Sequence, residues 1–110
     1  MKIKELAQAC GLTVCVGGED LTGEITGCYI GDLLSWAMGK VCAGDVWLTV
    51  MGNVNAVAVA VLADAACIVL VDNAVLDDIA KAKAAEQGVI VLQTEQSAFT
   101  LSKTISEMLG

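Results

Sequence analysis

The sequence contains no histidine, no arginine and no proline, and only 4% of it is aromatic. Without histidine there is no imidazole to ligate a metal, to activate a serine or cysteine, or to titrate near neutral pH. Without arginine there is no guanidinium fork for phosphate or carboxylate. Without proline the only sharp punctuation is glycine, and the chain shows no linker and no low-complexity tract. Six lysines face thirteen acids, a net charge of -7, which leaves no cationic cluster to neutralise a nucleic acid or an anionic membrane surface.

What is present is apolar. Hydrophobic residues make up 56% of 110 positions and charged residues 17%, a balance that excludes disorder. A chain of this size forms one domain spanning 1–110, exposes about 5,700 Å² when folded, and buries a core without disulfide or metal staples. The greasiest stretch, 54–71, is interrupted by Asn55 and Asp64. Its longest unbroken run falls well short of the ~20 apolar residues of a membrane span. Residues 1–6 carry no apolar core of a secretory signal, so a cytoplasmic location is expected. The five cysteines, at 10, 15, 28, 42 and 67, form no CxxC pair and no zinc-finger spacing. They read as free thiols, with Cys67 a small core residue. No cofactor and no metal is expected.

Ile3, Leu6, Ala7 and Cys10 recur at helical spacing before Gly11, a cap. Residues 13–16 read as a strand ending at the Gly17-Gly18 turn, with Glu19-Asp20 as a solvated tip, and residues 25–30 as a second strand. Gly31-Asp32 opens a helix with Leu33, Leu34, Ala37 and Met38 on one face, closing at Gly39. Residues 45–51 are rich in β-formers. Residues 54–65 are ambiguous: valines 57, 59 and 61 would line one face of a strand. Yet the Gly52-Asn53 cap, the many alanines and the length favour a helix, apolar all round and so in need of cover on all sides. A buried strand over 67–71 follows. Next come a helix over 76–87 with Ile79, Ala80 and Ala84 inward, a strand over 89–92, and a helix over 97–109 with Phe99, Leu101, Ile105 and Leu109 apolar. The alternation β-α-β-α-β-α-β-α predicts an α/β domain, a mostly parallel sheet of four or five strands with helices on its faces.

Such sheets bind ligands outside the carboxyl ends of their strands. Those ends hold Gly31-Asp32, Gly52-Asn53-Val54-Asn55, Asp72-Asn73 and Thr94-Glu95-Gln96-Ser97. The candidate ligand-binding residues are therefore Asp32, Gly52, Asn53, Asn55, Asp72, Asn73, Thr94, Glu95 and Ser97. Each could equally be a helix cap. The glycine and the helix start at 52–55 suit an anion or nucleotide phosphate, while Asp32, Asp72 and Glu95 repel one. Gly39-Lys40 is no phosphate loop, because Leu34 and Val41 stand where its first glycine and its Ser/Thr belong. No catalytic constellation is visible. Trp36 and Trp47 read as core or interface anchors.

The strings Ile25-Thr26-Gly27-Cys28-Tyr29-Ile30-Gly31-Asp32-Leu33-Leu34-Ser35-Trp36-Ala37-Met38, Gly44-Asp45-Val46-Trp47-Leu48-Thr49, Asn53-Val54-Asn55 and Ala58-Val59-Ala60 together resemble the DRTGG domain. That family is similar to the N-terminal domain of HPr kinase/phosphorylase. Its members also accompany CBS domains in regulated pyrophosphatases, which implies a regulatory, dimer-forming role. Some short members, in anaerobic bacteria, look like neighbours of iron-only hydrogenase components. The family's name-giving aspartate-arginine pair would fall near the loop after the Trp47 strand. Asn53 and Asn55 stand there instead, and no arginine remains to touch a phosphate.

Three functions compete at this level. The first is a regulatory or ligand-sensing module, a homodimer binding a small molecule or a partner protein. The second is a phosphoryl-transfer protein, and the third a thiol or metal carrier in anaerobic redox metabolism. The missing phosphate loop weighs against the second and the unpaired cysteines against the third, so a non-catalytic module is the reading favoured. A mean hydropathy of +0.71 and the all-round apolar helix argue for the dimer, with Trp36, Met38 and Met51 as anchors.

Overall fold

A computed structural model describes residues 1–18 and 21–110, so the Glu19-Asp20 tip lies outside the described residues. The element order is α1 (Ile3–Cys10), β1 (Thr13–Val16), β2 (Gly27–Ile30), α2 (Leu34–Lys40), β3 (Asp45–Thr49), α3 (Val54–Ala63), β4 (Cys67–Leu70), α4 (Asp78–Gln87), β5 (Val91–Gln93) and α5 (Ala98–Leu109). The five strands form one sheet in the order β1-β5-β4-β3-β2. Strands β2 to β5 are mutually parallel, and β1 lies antiparallel on the outer edge of β5. This is the α/β fold expected, with one antiparallel edge added.

Alternation along the strands divides the core. Val46, Leu48, Cys67, Val69 and Leu92 face α1 and α5, joining Ile3, Leu6, Leu101 and Ile105. Trp47, Ile68, Leu70 and Val91 face the opposite way, onto Ala37, Ala56, Val57, Ala60, Ala80 and Ala84 of α2, α3 and α4. The successive β-α-β units step across the sheet in one direction, so right-handed crossovers put α2, α3 and α4 on the same face. Alanines at the contact let these helices sit close to the sheet. The folded chain exposes 5727 Å², the value that its mass predicts.

The ambiguous segment is a helix. The Asn53 side chain accepts the Ala56 N–H at 3.0 Å and starts it, and left-handed Asp64 ends it, short of Ala65. Several other expectations need correction. Ile25 is not in the sheet: its N–H donates to the Met1 carbonyl at 2.7 Å, which ties this segment to the N-terminus. Asp32 does not open α2. Its carboxylate turns away to β3, and the helix begins at Leu34 with only Ala37 buried, Leu33 and Met38 being exposed. Helix α4 starts two residues late because Asp77 accepts the Ala80 N–H at 2.7 Å and caps it there. Ile79 then points outward, as does Phe99 on α5, and Met51 is a partly buried core neighbour rather than an exposed anchor. Among the described residues, no helix is long and apolar enough to cross a membrane.

Candidate functional site

Because β2, β3, β4 and β5 are parallel, their carboxyl ends share one rim, and all four expected loops lie along it. Local chemistry divides them into two groups. At the β2–β3 end the Asp32 carboxylate accepts from Thr49 Oγ1 at 2.8 Å and from the Val50 N–H at 2.9 Å. Thr49 Oγ1 in turn accepts the Met51 N–H at 3.2 Å. Asp32 is thus a staple between the β2–α2 and β3–α3 loops, with both bonds on its Oδ1.

The segment singled out as an anion site is occupied by structure. A Cβ on Gly52 would run into the backbone carbonyl of Val75, and the Gly52 carbonyl accepts the Asp77 N–H at 2.9 Å. The glycine therefore admits the neighbouring loop. Asn53 caps α3, Ser97 caps α5 by accepting the Thr100 N–H at 3.2 Å, and Asn55 is exposed on the first turn of α3.

The β4–β5 end gathers the remaining residues. Asp72 and Asn73 are consecutive left-handed residues, φ 54° and 57°, a conformation that Asp and Asn tolerate best among side chains with a Cβ. They are held by Asp72 N–H donating to the Gln96 carbonyl at 2.9 Å and Asn73 N–H donating to the Thr94 carbonyl at 2.8 Å. Buried Thr94 accepts the Gln96 N–H on Oγ1 at 3.1 Å. Beside this knot opens a cavity of 340 Å³ lined by Cys10, Gly11, Thr13, Asn73, Gln93, Thr94, Glu95 and Gln96. Its volume suits a small molecule.

Asn73, Thr94 and Glu95 were readable from the sequence. Cys10, Gly11, Thr13 and Gln93 were not. Gln93 is the last residue of β5, one beyond the end expected for that strand, whereas Cys10, Gly11 and Thr13 reach the rim because β1 runs antiparallel to β5, so the start of β1 meets the carboxyl end of its neighbour. Nothing in the local pattern of residues 10–13 carries that placement.

The five thiols are all free. Burial pushes Cys67 up to about 12, with neighbouring Cys28 adding to it, and burial together with Asp45 pushes Cys28 up to about 11. Cys10 and Cys15 are also raised by burial. Raised thiols are poor nucleophiles and poor metal ligands at neutral pH. No three His, Cys, Asp or Glu side chains among the described residues could hold a metal together. A thiol raised above its ordinary 9.0 stabilises the fold fully below that pH and loses the contribution as pH climbs towards its folded value. Thermal melting is therefore expected to weaken from pH 9 upward, Cys67 contributing on the order of 1 kcal/mol per pH unit. Melts of the protein and of Cys67→Ala between pH 7 and 11 check this. The variant starts lower but declines less steeply.

These features define a small α/β module with a polar cavity at the rim of its sheet and no catalytic grouping among the described residues. The DRTGG domain matches residues 5–108, and the chain belongs to that family. Nothing among the curated proteins matches the sequence. In fold it is similar to the crystal structure of the CBS and DRTGG domains of the regulatory region of Clostridium perfringens pyrophosphatase, complexed with the activator diadenosine tetraphosphate. The TM-score is 0.73 at 10% identity, over 92% of this chain and 44% of that one. The chain thus spans less than half the length of that relative.

Proposed function

We propose that this chain is a non-catalytic regulatory module, a homodimer that takes a small ligand in the cavity at its sheet rim. The observation that carries the reading is the uncovered face of the α2–α3–α4 layer. Leu62 is 75% exposed, Ile79 73% and Trp36 63%, with Leu33, Met38 and Val61 also exposed on these helices or at their ends. Helices α1 and α5 pack on the other side of the sheet and give this face no cover. Helix α3, in contact with both α2 and α4, has no charged residue from Val54 to Ala63, so an apolar mate has no charge to desolvate there. A stable interface needs about 800 Å² from each partner, and a two-fold pairing is the commonest way to supply it.

The regulatory part rests on the family and on its relative, a regulatory region solved with a bound activator. The unpaired thiols favour a reducing compartment such as the cytoplasm. Sedimentation equilibrium at micromolar concentration should give twice the chain mass. Leu62→Glu, which places a charge on an already exposed position, should raise the dissociation constant at least tenfold and leave the melt nearly unchanged. A single-chain mass at every concentration would overturn the dimer. Incubation with ATP, magnesium and a serine-bearing carrier protein should transfer no phosphate, and stoichiometric phosphorylation would overturn the non-catalytic reading.

A further inference from the structure

Strand β2 ends the sheet and has a neighbour, β3, on its inner side alone. The Gly31 N–H donates to the Leu48 carbonyl at 3.2 Å, closing the parallel ladder that Gly27 and Tyr29 make with β3. Backbone groups alternate in direction along a strand, so the N–H and C=O groups of Cys28 and Ile30 point outward. No strand or loop among the described residues pairs with that row. Sheet edges are ordinarily guarded by a charge, a proline or a bulge. Residues 25–31 have neither charge nor proline, and β2 pairs in unbroken register. The opposite edge, β1, is broken by an irregularity between Val14 and Val16.

Beside the open row runs a groove of 470 Å³, lined by the exposed Cys28 and Ile30 together with Ser102, Ile105, Ser106 and Leu109 of α5. None of these side chains is charged. The surroundings are acidic. Asp32 follows the strand, the Asp45 carboxylate lies against Gly27, and exposed Glu107 follows Ser106, with Lys103 the single cation of α5. An extended backbone matches such a row of donors and acceptors, and a groove alongside takes its alternate side chains. A second copy of this chain would bring the same acids and the same net charge of -7 to the seam, so a strand with basic ends fits better.

We propose that the β2 edge and its groove dock an extended segment of a partner protein, uncharged over the four residues that β2 offers, apolar at alternate positions and basic at its ends. Its backbone pairs with Cys28 and Ile30 as a sixth strand, and its apolar side chains enter the groove against Ile105 and Leu109. Its basic ends answer Asp32 and Glu107. The groove lies across the sheet from the helix layer proposed as the dimer face, so the two readings stand or fall separately.

The probe is a display library of random nine-residue peptides selected on the protein at 150 mM salt. Enriched peptides are synthesised and titrated into isotope-labelled protein. They should share an uncharged centre, alternate apolar positions and basic ends, and produce saturable shifts at Cys28 and Ile30. Hydrogen exchange at those two amides should slow about tenfold or more on binding. Ile30→Pro removes an outward N–H at an edge position, where proline is tolerated, and Leu109→Glu puts a charge in the groove. Each should weaken binding about tenfold or more, and Val75→Ser in the β4–α4 loop should leave it unchanged. If Ile30→Pro also lowers the melt, Leu109→Glu decides. No enrichment, enriched peptides with acidic ends, shifts confined to other surfaces, or undiminished binding in Leu109→Glu would each overturn the proposal. So would protection of the Cys28 and Ile30 amides in the free protein that vanishes on dilution, since the occupant would then be a second copy.

Discussion

Gly52→Ala is expected to destabilise the protein by about 3 kcal/mol or more, and to lower its melting temperature by roughly 10–20 °C. The added methyl would occupy the place of the Val75 carbonyl oxygen, and the next nearest atoms are backbone too. A flexible side chain could swing aside, but two backbone segments cannot separate without losing the bond from Asp77 N–H to the Gly52 carbonyl. That bond sets the start of α4, so the damage extends from the β3–α3 loop to the β4–α4 loop. Gly39→Ala is the matching control. It lies inside α2 with nothing within 4 Å of an added Cβ, and the change should stabilise by a few tenths to 1 kcal/mol. Chemical denaturation of both variants measures the contrast. Equal stabilities would mean that the two loops do not touch as described.

Trp47→Ala should cost about 3–5 kcal/mol, a large share of the 5–15 kcal/mol that holds a domain together. Trp47 is fully buried on β3, against the α2–α3–α4 layer, and its indole N–H donates to the Gly31 carbonyl at 3.0 Å. Removal leaves a cavity among small alanines that cannot close it, and also orphans a carbonyl at the end of β2. Trp36→Ala, by contrast, should scarcely change the monomer's stability, because Trp36 is exposed; in the proposed dimer its effect would fall on self-association. Urea titration of both, at a concentration where Leu62→Glu is monomeric, separates the two roles. A loss under 1 kcal/mol for Trp47→Ala would contradict the packing.

The two tryptophans show where sequence reasoning stops. Both are large, apolar residues with a polar edge, and pattern alone offers core or interface for each. Burial is decided by which helix lies over which strand, and that depends on contacts far apart in the chain. The same limit explains Ile79 and Phe99, apolar residues at helix starts that no neighbour covers. It explains the 67–70 strand in the opposite sense: a run with no polar position must be covered on both faces, and Cys67, Ile68, Val69 and Leu70 are. Helix capping was legible where a short polar side chain precedes an apolar run, as at Asn53 and Ser97. Those same side chains were read as ligand contacts, because a free cap and a rim donor look alike in sequence. Asp32 was read both as a helix opener and as a rim contact; it does not open α2, because its Oδ1 is drawn to Thr49 by a pairing across 17 residues.

The pairing of Thr13 with Gln93 has a consequence for the order of assembly. Strands β2 to β5 join neighbours through short helical crossovers, whereas β1 can add only after the chain has closed a loop of some eighty residues. Closure entropy defers such contacts, so this strand is expected to dock after the others. The rim cavity straddles that seam, with Gly11 and Thr13 on one side and residues 93–96 on the other. An occupant there would clasp residues 11–13 to residues 93–96, and its binding energy would appear as resistance to the separation of β1 from β5.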